Sequence, residues 1–416
     1  MIITLKRLYT IKDKTPSFLL LILSFFPLLN SNQLSISLLL FFFFSIFFRT
    51  RIIKENFKKY GYKPLIINSL FYLIIVFSLS YSPLQEQGLD IIVRGISFLL
   101  FPLTLIYSIN ITDRLIRYMS IIFIGSNILV ILYFVIKLNM LSKFVTNPAE
   151  FFNIRFFIEI GKADYKDWHP TYMGLNYLLS ILLLLKVIYQ SCSYVKKIFG
   201  VVLITIFLAF LIILNSRIII FLTLFSIPLY SLLTLKLLKD RVLILSIIIV
   251  SFIVLAQISK NNNIGRLFLE PITYDFRNFS LKKVLGPRYY IQECSLELIK
   301  QKPILGYGVG YEKELLSNYC LEIKNFKNQY LSSYSSHNVY LSILFTTGFL
   351  GFLALVFMLI NNLYLAFNFR NFFYGSVIII FIFAFLTENY FIRLNGVILF
   401  SFINAYFFKK ILEKIE

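Results

Sequence analysis

The length, composition and charge of this chain exclude a water-soluble globular protein. Of its 416 residues, 58% are hydrophobic and only 15% are charged, and the mean hydropathy is +0.79. Soluble domains carry about 45–50% apolar and about 25% charged residues, so too few polar side chains remain here to cover a water-facing surface. The net charge of +21 does not indicate nucleic-acid binding, because the basic residues lie mainly in short gaps between apolar runs.

Twelve apolar segments of membrane-spanning length follow one another along the chain. A transmembrane helix needs roughly 20 mostly apolar residues. The segments are residues 15–30, 34–48, 64–81, 90–109, 115–137, 170–189, 197–214, 217–235, 241–257, 338–365, 372–387 and 391–408. The break between two of them, at 214–217, is short, so eleven or thirteen spans also fit. The first run lacks a small-residue cleavage site and predicts a retained span. The sequence predicts an all-α polytopic membrane protein, with residues 1–416 forming a single integral membrane domain.

The distribution of Lys and Arg predicts which side of the membrane each segment faces. With a cytoplasmic N-terminus, the inside segments hold 22 of the 41 Lys and Arg in about 70 residues, which is the positive-inside pattern. Two long segments, 138–169 and 258–336, then face outward. We expect residues 258–336 to fold as an extracytoplasmic subdomain that includes a short helix over 289–301, ended by Pro303.

Only two histidines occur in the chain, and both lie at predicted outer ends of spans. His169 precedes the span that begins at Pro170, and His337 precedes the span that begins at residue 338. Imidazole exchanges protons near neutral pH, which makes His the commonest general base. Each histidine could instead cap a helix or lie among lipid headgroups, so position alone leaves both interpretations open.

Four arginines at or near the predicted outward-facing ends of membrane spans form a second group of candidates. They are Arg217, Arg288, Arg94 and Arg393. A guanidinium offers a planar set of donors that suits phosphate oxygens, and ionisable residues near a span usually mark a substrate site or pathway. The alternatives are extension of the side chain to the headgroups and, for Arg94, an ion pair with Asp90 four residues before it.

Three other patterns have competing interpretations. The glycine-rich segment 303–310 could cradle a phosphate, but it lacks the P-loop pattern, and a tight turn back to the membrane fits better. Asp164 and Asp167 could hold a divalent cation, although neighbouring lysines favour an exposed loop, and we predict no metal site. Cys294 and Cys320 both fall in the outer loop and could form a disulfide, or remain two free thiols.

Several of these elements resemble the O-antigen ligase superfamily. The elements shared with that family are Ser336–Leu341 followed by Gly348 and Gly351, Pro303–Gly308 upstream of them, Asn215–Arg217 at the head of a span, and Arg288 before an amphipathic stretch. Tyr307 departs from the pattern, because a smaller residue is usual at that position. The resemblance covers roughly 165–365 and agrees with a layout of about twelve spans, a large outer loop between spans nine and ten, and a GT-C-like architecture.

The resemblance implies a glycosyltransferase that moves a glycan from undecaprenyl diphosphate at the outer face of the bacterial inner membrane. It implies an inverting reaction without metal or cofactor, with His337 as the catalytic base and Arg217 and Arg288 as diphosphate ligands. Candidate accessory residues are His169, Arg94, Arg393, Asn338 and Tyr340.

Lipid A-core is the leading acceptor, which would make the protein an O-antigen ligase. A polymerase of O-antigen or exopolysaccharide repeat units shares nearly all of this chemistry, because it uses the same carrier with a glycan acceptor. A transporter of polysaccharide or lipid is a more distant alternative, since transporters usually place ionisable residues near the membrane midplane.

Overall fold

The structure is a computed structural model that describes residues 15–146, 169–214, 216–235, 246, 287–320 and 335–415. Within these ranges the regular structure is helical and includes no strand. Residues 15–23 are helical, and the helices of more than four residues that follow are α1 Ser31–Phe47, α2 Thr50–Tyr60, α3 Lys63–Phe77, α4 Gln85–Gly95, α5 Ser97–Phe101, α6 Asp113–Lys137, α7 Met140–Thr146, α8 Pro170–Gln190, α9 Tyr194–Ile213, α10 Arg217–Thr234, α11 Pro287–Gln301, α12 Glu312–Asn318, α13 Val339–Asn368, α14 Phe372–Ala384 and α15 Leu394–Ile415. A π-helical turn, Pro102–Ile106, follows α5.

The protein is a multi-pass membrane protein. By length and composition, six helical stretches in the described residues could cross a membrane, or seven if α1 and α2 count as one span. The six are Lys63–Tyr81, Gln85–Ile106, Asp113–Lys137, Pro170–Gln190, Tyr194–Ile213 and Val339–Asn368. Every predicted segment that falls in the described residues coincides with helical structure, whereas segment 241–257 lies almost wholly outside them. The total of twelve spans stays a prediction.

The chain forms two compact units. The first comprises residues within 1–48 and 110–275, and the second comprises residues within 49–109 and 276–416. In the first unit α8 is the central helix, since it packs on α6, α9 and α10 and is mostly buried. The second unit contains α2 to α5 and α11 to α15, and it carries His337 and Arg288. The predicted extent of the outer subdomain, 258–336, stays a prediction, because most of that loop lies outside the described residues.

A closed set of amide hydrogen bonds holds the apolar core of the second unit together. Asn362 Nδ2 donates to the Oδ1 atoms of Asn68 (3.0 Å) and Asn404 (2.8 Å), and Asn404 Nδ2 donates to Asn68 Oδ1 (2.7 Å). The Tyr374 hydroxyl donates to Asn404 Oδ1 (2.8 Å). All four side chains are buried. Because unsatisfied amides are costly among apolar side chains, this network fixes the register of α3, α13, α14 and α15 against one another.

At one end of the second unit, basic side chains cover the carbonyl groups that follow the π-helical turn. Arg49 Nη1 donates to Ser108 O (3.1 Å), and Lys409 Nζ donates to Ile109 O. Cations are favourable at such helix ends, where backbone carbonyls have lost their helical partners. The predicted topology puts residues 49 and 409 on the cytoplasmic side, so basic residues predicted on one side of the membrane meet at one end of this unit.

At the other end, the glycine-rich segment 303–310 inserts into a break in α13. Gly348 interrupts that helix with φ 60° and ψ −156°. The carbonyls of Phe345 and Thr346 therefore accept from Tyr307 N (2.8 Å) and Gly308 N (2.9 Å), while Phe349 N donates to Pro303 O (2.8 Å). The approach requires glycine, because a Cβ on Gly348 would overlap the Ile304 carbonyl. The segment is the tight return that the sequence favours.

The predicted outer helix is α11, and its apolar side packs against the start of α13. Ile291, Leu298 and Ile299 are buried in a cluster with Phe345, whereas Leu296 is about half exposed. A disulfide joins Cys294 on α11 to Cys320 just after α12, with Cα atoms 6.0 Å apart. Two of the three cysteines therefore tie α11 to the segment that carries α12.

Candidate active site

The site is built at the start of α13, and Asn338 sets where that helix begins. Its Oδ1 accepts from Leu341 N (3.1 Å), which satisfies one of the backbone donors that a helix N-terminus leaves without an intrahelical partner. Its Nδ2 donates to Leu386 O (3.1 Å), just after the end of α14. One side chain therefore caps α13 and ties its first residue to the connection between α14 and α15.

Two further bonds hold the same elements together. Val339 N donates to Phe385 O (2.8 Å), and the Tyr340 hydroxyl donates to Ile382 O (3.0 Å). The first turn of α13 is thus bound along the last turn of α14 and the residues after it. As a result, the residue before the cap, His337, lies beside residues 387–388.

His337 contacts a carboxylate that the sequence analysis did not select. Its Nδ1 lies 3.2 Å from Glu388 Oε1, and the two side chains are only 18% and 9% exposed. A carboxylate can only accept, so the hydrogen bond puts the ring proton on Nδ1 and the lone pair on Nε2. This is the tautomer that a general base needs. The backbone of His337 is in the left-handed region, with φ 49°.

Arg288 lies on the other side of the same carboxylate. Its Nη1 donates to Thr387 O (2.9 Å), and its Nη2 lies 3.7 Å from Glu388 Oε2. With 44% of its side chain exposed, the guanidinium retains surface toward solvent as well. The structure therefore brings two predicted residues, Arg288 and His337, together through Glu388. The sequence signal for Glu388 was its position: it is an acid in the short outer connection between two apolar segments.

Arg94 reaches the far end of the connection that carries Glu388. Its Nη1 donates to Ile392 O (3.4 Å), and its Nη2 lies 3.8 Å from Asp90 Oδ2. The ion pair offered as an alternative interpretation is therefore present, and it joins two well-exposed side chains whose pairing contributes little to stability. Arg393 is exposed immediately before α15. Both arginines therefore stay candidate accessory residues.

The remaining predicted residues belong to the first unit. His169 caps α8, where its Nδ1 accepts from Thr171 N (3.4 Å) and its ring lies edge-on to Tyr172. This is the helix-capping interpretation. Arg217 is the first residue of α10, and its side chain lies outside the part of the structure that is described. Asp164 and Asp167 also fall outside it.

The glycine-rich segment is not a phosphate cradle. Four successive backbone N–H groups, from Gly306 to Val309, donate to protein acceptors and so do not point at a ligand. The Tyr307 hydroxyl donates to Leu298 O (2.9 Å), and its ring stacks on Phe345. The large residue at this position thus fastens α11 to α13, and its burial raises the pKa of the phenol.

Comparison with known proteins supports the resemblance seen in the sequence. Residues 199–356 match the family model described as O-antigen ligase, a segment that covers more than a third of the chain and includes Arg217, Arg288 and His337. No match was found among curated proteins. Within the described residues, no group of three or more His, Cys, Asp or Glu could hold a metal ion. The match over residues 199–356 thus supports a relationship to the O-antigen ligase superfamily, whose members are membrane proteins of the ligase and polymerase type.

Proposed function

We propose that the protein is a glycosyltransferase of the bacterial inner membrane that moves a glycan from undecaprenyl diphosphate onto lipid A-core. The observation that carries the proposal is the contact of His337 and Arg288 with Glu388 at the predicted outer mouth of α13. Two of these three residues lie inside the matched family domain. Transfer from a lipid diphosphate requires a base that accepts a proton from the acceptor and a cation that stabilises the leaving group. An oriented imidazole next to a guanidinium can fill both roles.

In the proposed reaction, His337 Nε2 accepts the proton of an acceptor hydroxyl while that oxygen attacks the anomeric carbon. The bond from the anomeric carbon to the diphosphate oxygen breaks, and undecaprenyl diphosphate leaves. Attack on the face opposite the leaving group inverts the anomeric configuration. Glu388 stabilises the imidazolium that forms, as the carboxylate does in a Ser-His-Asp triad. The other ring nitrogen thus stays fixed in direction through the proton transfer.

The leaving diphosphate gains negative charge as the glycosidic bond breaks, and the proposal assigns its stabilisation to arginine. Arg288 has nearly half of its side chain exposed beside the base, and Arg217 is the second diphosphate ligand that the resemblance implies. A guanidinium can donate two parallel hydrogen bonds to two oxygens of one phosphate. The electrostatic attraction between the two groups is stronger beside a medium of low dielectric constant than in water. The reaction needs no metal ion on this account, so EDTA should leave the rate unchanged. An EDTA-sensitive rate would point to Asp164 and Asp167 instead.

The charge of the outer loop favours lipid A-core over an uncharged glycan as acceptor. Residues 258–336 contain 11 Lys and Arg against 7 Asp and Glu, a balance that attracts a phosphorylated acceptor as well as the diphosphate donor. A strain without this gene should then make rough lipopolysaccharide while long glycan accumulates on the lipid carrier. If single repeat units accumulate on the carrier or cap the core, the protein is a polymerase, and the choice of acceptor is wrong.

A further inference from the structure

Glu312, the first residue of α12, is a buried carboxylate that contacts the chain on both sides of His337. It is 6% exposed. Its Oε1 accepts from Ser336 N (2.9 Å), and its Oε2 accepts from the Ser342 hydroxyl. Ser336 immediately precedes His337, and Ser342 lies in the second turn of α13. No sequence pattern singles out Glu312, since its nearest partner is 24 positions away.

The conformation of His337 explains why such a contact is needed. A residue other than glycine with φ near +50° costs about 1–2 kcal/mol, and it persists only where its neighbours are held. The Asn338 cap fixes the backbone after His337. Glu312 fixes the backbone before it, through the hydrogen bond that its Oε1 accepts from Ser336 N. Together they hold the ring toward Glu388.

The scaffold that presents Glu312 also carries Arg288. Cys320 follows α12 and is bonded to Cys294 on α11, the helix on which Arg288 is the second residue. Leu316, one turn after Glu312, is buried in the cluster that joins α11 to the start of α13. One disulfide-linked segment thus carries both Arg288, the proposed phosphate ligand, and Glu312, which contacts the chain on both sides of the proposed base.

We infer that Glu312 is a positioning residue for His337 and that it acts by holding Ser336 and Ser342 rather than by touching substrate. The inference rests on the proposed role of His337 as the base. It predicts an effect on turnover and little effect on donor or acceptor binding, because both contacts of Glu312 are to the protein. It also predicts that charge is dispensable, provided that both hydrogen bonds remain.

Glu312→Gln and Glu312→Ala separate these requirements. The Gln side chain has the same shape, and it can accept from Ser336 N while its amide donates to the Ser342 hydroxyl, which can act as an acceptor. We expect Glu312→Gln to stay within about threefold of the unmodified protein. Glu312→Ala should lower kcat by about 30-fold or more while KM changes less than about twofold, because a loosely held base loses productive alignment.

Two matched variants on α12 serve as controls. Glu314→Ala removes an exposed carboxylate two residues away and should leave both constants unchanged. Leu316→Ala opens the buried cluster without touching the contacts of Ser336 or Ser342, so it reports how far general loosening of α12 lowers activity. The assay uses the purified full-length protein in nanodiscs, with undecaprenyl-diphosphate-linked glycan extracted from the deletion strain and purified lipid A-core. The melting temperature of each variant is measured in parallel.

The outcomes distinguish this inference from the function on which it rests. The expected result is that Glu312→Ala loses more kcat than Leu316→Ala at an equal or smaller loss of melting temperature, and that Gln rescues it. Equal losses in the two Ala variants, or no rescue by Gln, would reduce Glu312 to a structural residue. Full activity of Glu312→Ala beside an inactive His337→Ala overturns only the positioning role. An active His337→Ala overturns both proposals.

Discussion

Replacing Glu388 with Gln tests the proposed mechanism most directly, because it removes one negative charge and almost no volume. In the structure the carboxylate accepts from His337 Nδ1 on one side and lies beside Arg288 on the other. The new amide can turn its NH2 group toward Arg288, where it meets a cation. It can instead turn that group toward the imidazole, which moves the ring proton to Nε2 and removes the base. Neither orientation reproduces the wild-type contacts.

The distances give the size of the effect. Coulomb's law with an effective dielectric constant of about 20 assigns about 5 kcal/mol to an imidazolium and a carboxylate separated by the observed 3.2 Å. Arg288, at 3.7 Å from the second oxygen, already offsets part of that attraction, and solvent reaches 18% of the His337 side chain. About half should remain, or 2–3 kcal/mol, which corresponds to a loss of about 10²-fold in kcat.

The assay compares kcat and KM for glycan transfer by the unmodified protein and by Glu388→Gln in nanodiscs. The reasoning predicts the loss in kcat, because the imidazolium forms only during the reaction. A matched control is Glu293→Gln, which changes an acid on α11 that is not part of the His337–Glu388–Arg288 contacts. If Glu388→Gln keeps more than a third of the wild-type kcat, or raises only KM, then the carboxylate does not support a base at His337.

Four further substitutions test separate parts of the account. His337→Ala should abolish transfer while the protein still inserts into the membrane, as followed by glycan transfer and by the amount of protein in membrane fractions. Arg288→Lys should lose most activity, because an ammonium cannot contact Thr387 O and a phosphate in the same geometry; equal activity would mean that charge alone suffices. Cys294→Ser opens a loop of about 27 residues and should lower the free energy of unfolding by about 3–4 kcal/mol, measured by denaturant titration against a dithiothreitol-treated sample. Asn362→Leu removes two interhelical hydrogen bonds and should destabilise the second unit by about 1–3 kcal/mol, seen as a lower melting temperature.

Two residues of the candidate site, His337 and Arg288, could be selected from the sequence, whereas the carboxylate that both of them contact could not. His337 and Arg288 belong to short motifs that can be recognised from a few neighbouring residues. Both lie at the ends of apolar or amphipathic segments. Glu388 joins them only because α13 and α14 pack side by side, which brings residues 51 positions apart into contact. Composition and spacing along the chain carry no information on that pairing. Its only local sign is a carboxylate placed where ionisable side chains are rare.

The same division applies to the fold. Hydropathy located the helices, because a span must be apolar along its whole length whatever its neighbours are. It could not reveal the break at Gly348, since a glycine in an apolar helix is also compatible with close packing of two helices. The break exists because the segment that begins at Pro303 supplies replacement partners for the carbonyls of α13. That exchange depends on hydrogen bonds between residues that are 38 to 46 positions apart in sequence.

The main structural effect of the motif that begins at His337 is to set the distance between His337 and Glu388. Asn338 and Tyr340 both bond to backbone carbonyls around the end of α14, and neither contact needs a substrate to explain the residue. Those bonds determine where the chain lies two residues after Leu386, at Glu388, which contacts the imidazole of His337. Changing Asn338 to Asp would keep the cap but lose the donor to Leu386 O, so α13 should still form while the His337–Glu388 contact loosens. Activity should then fall with helix content unchanged, as measured by circular dichroism. A normal rate would show that the carboxylate is held from elsewhere.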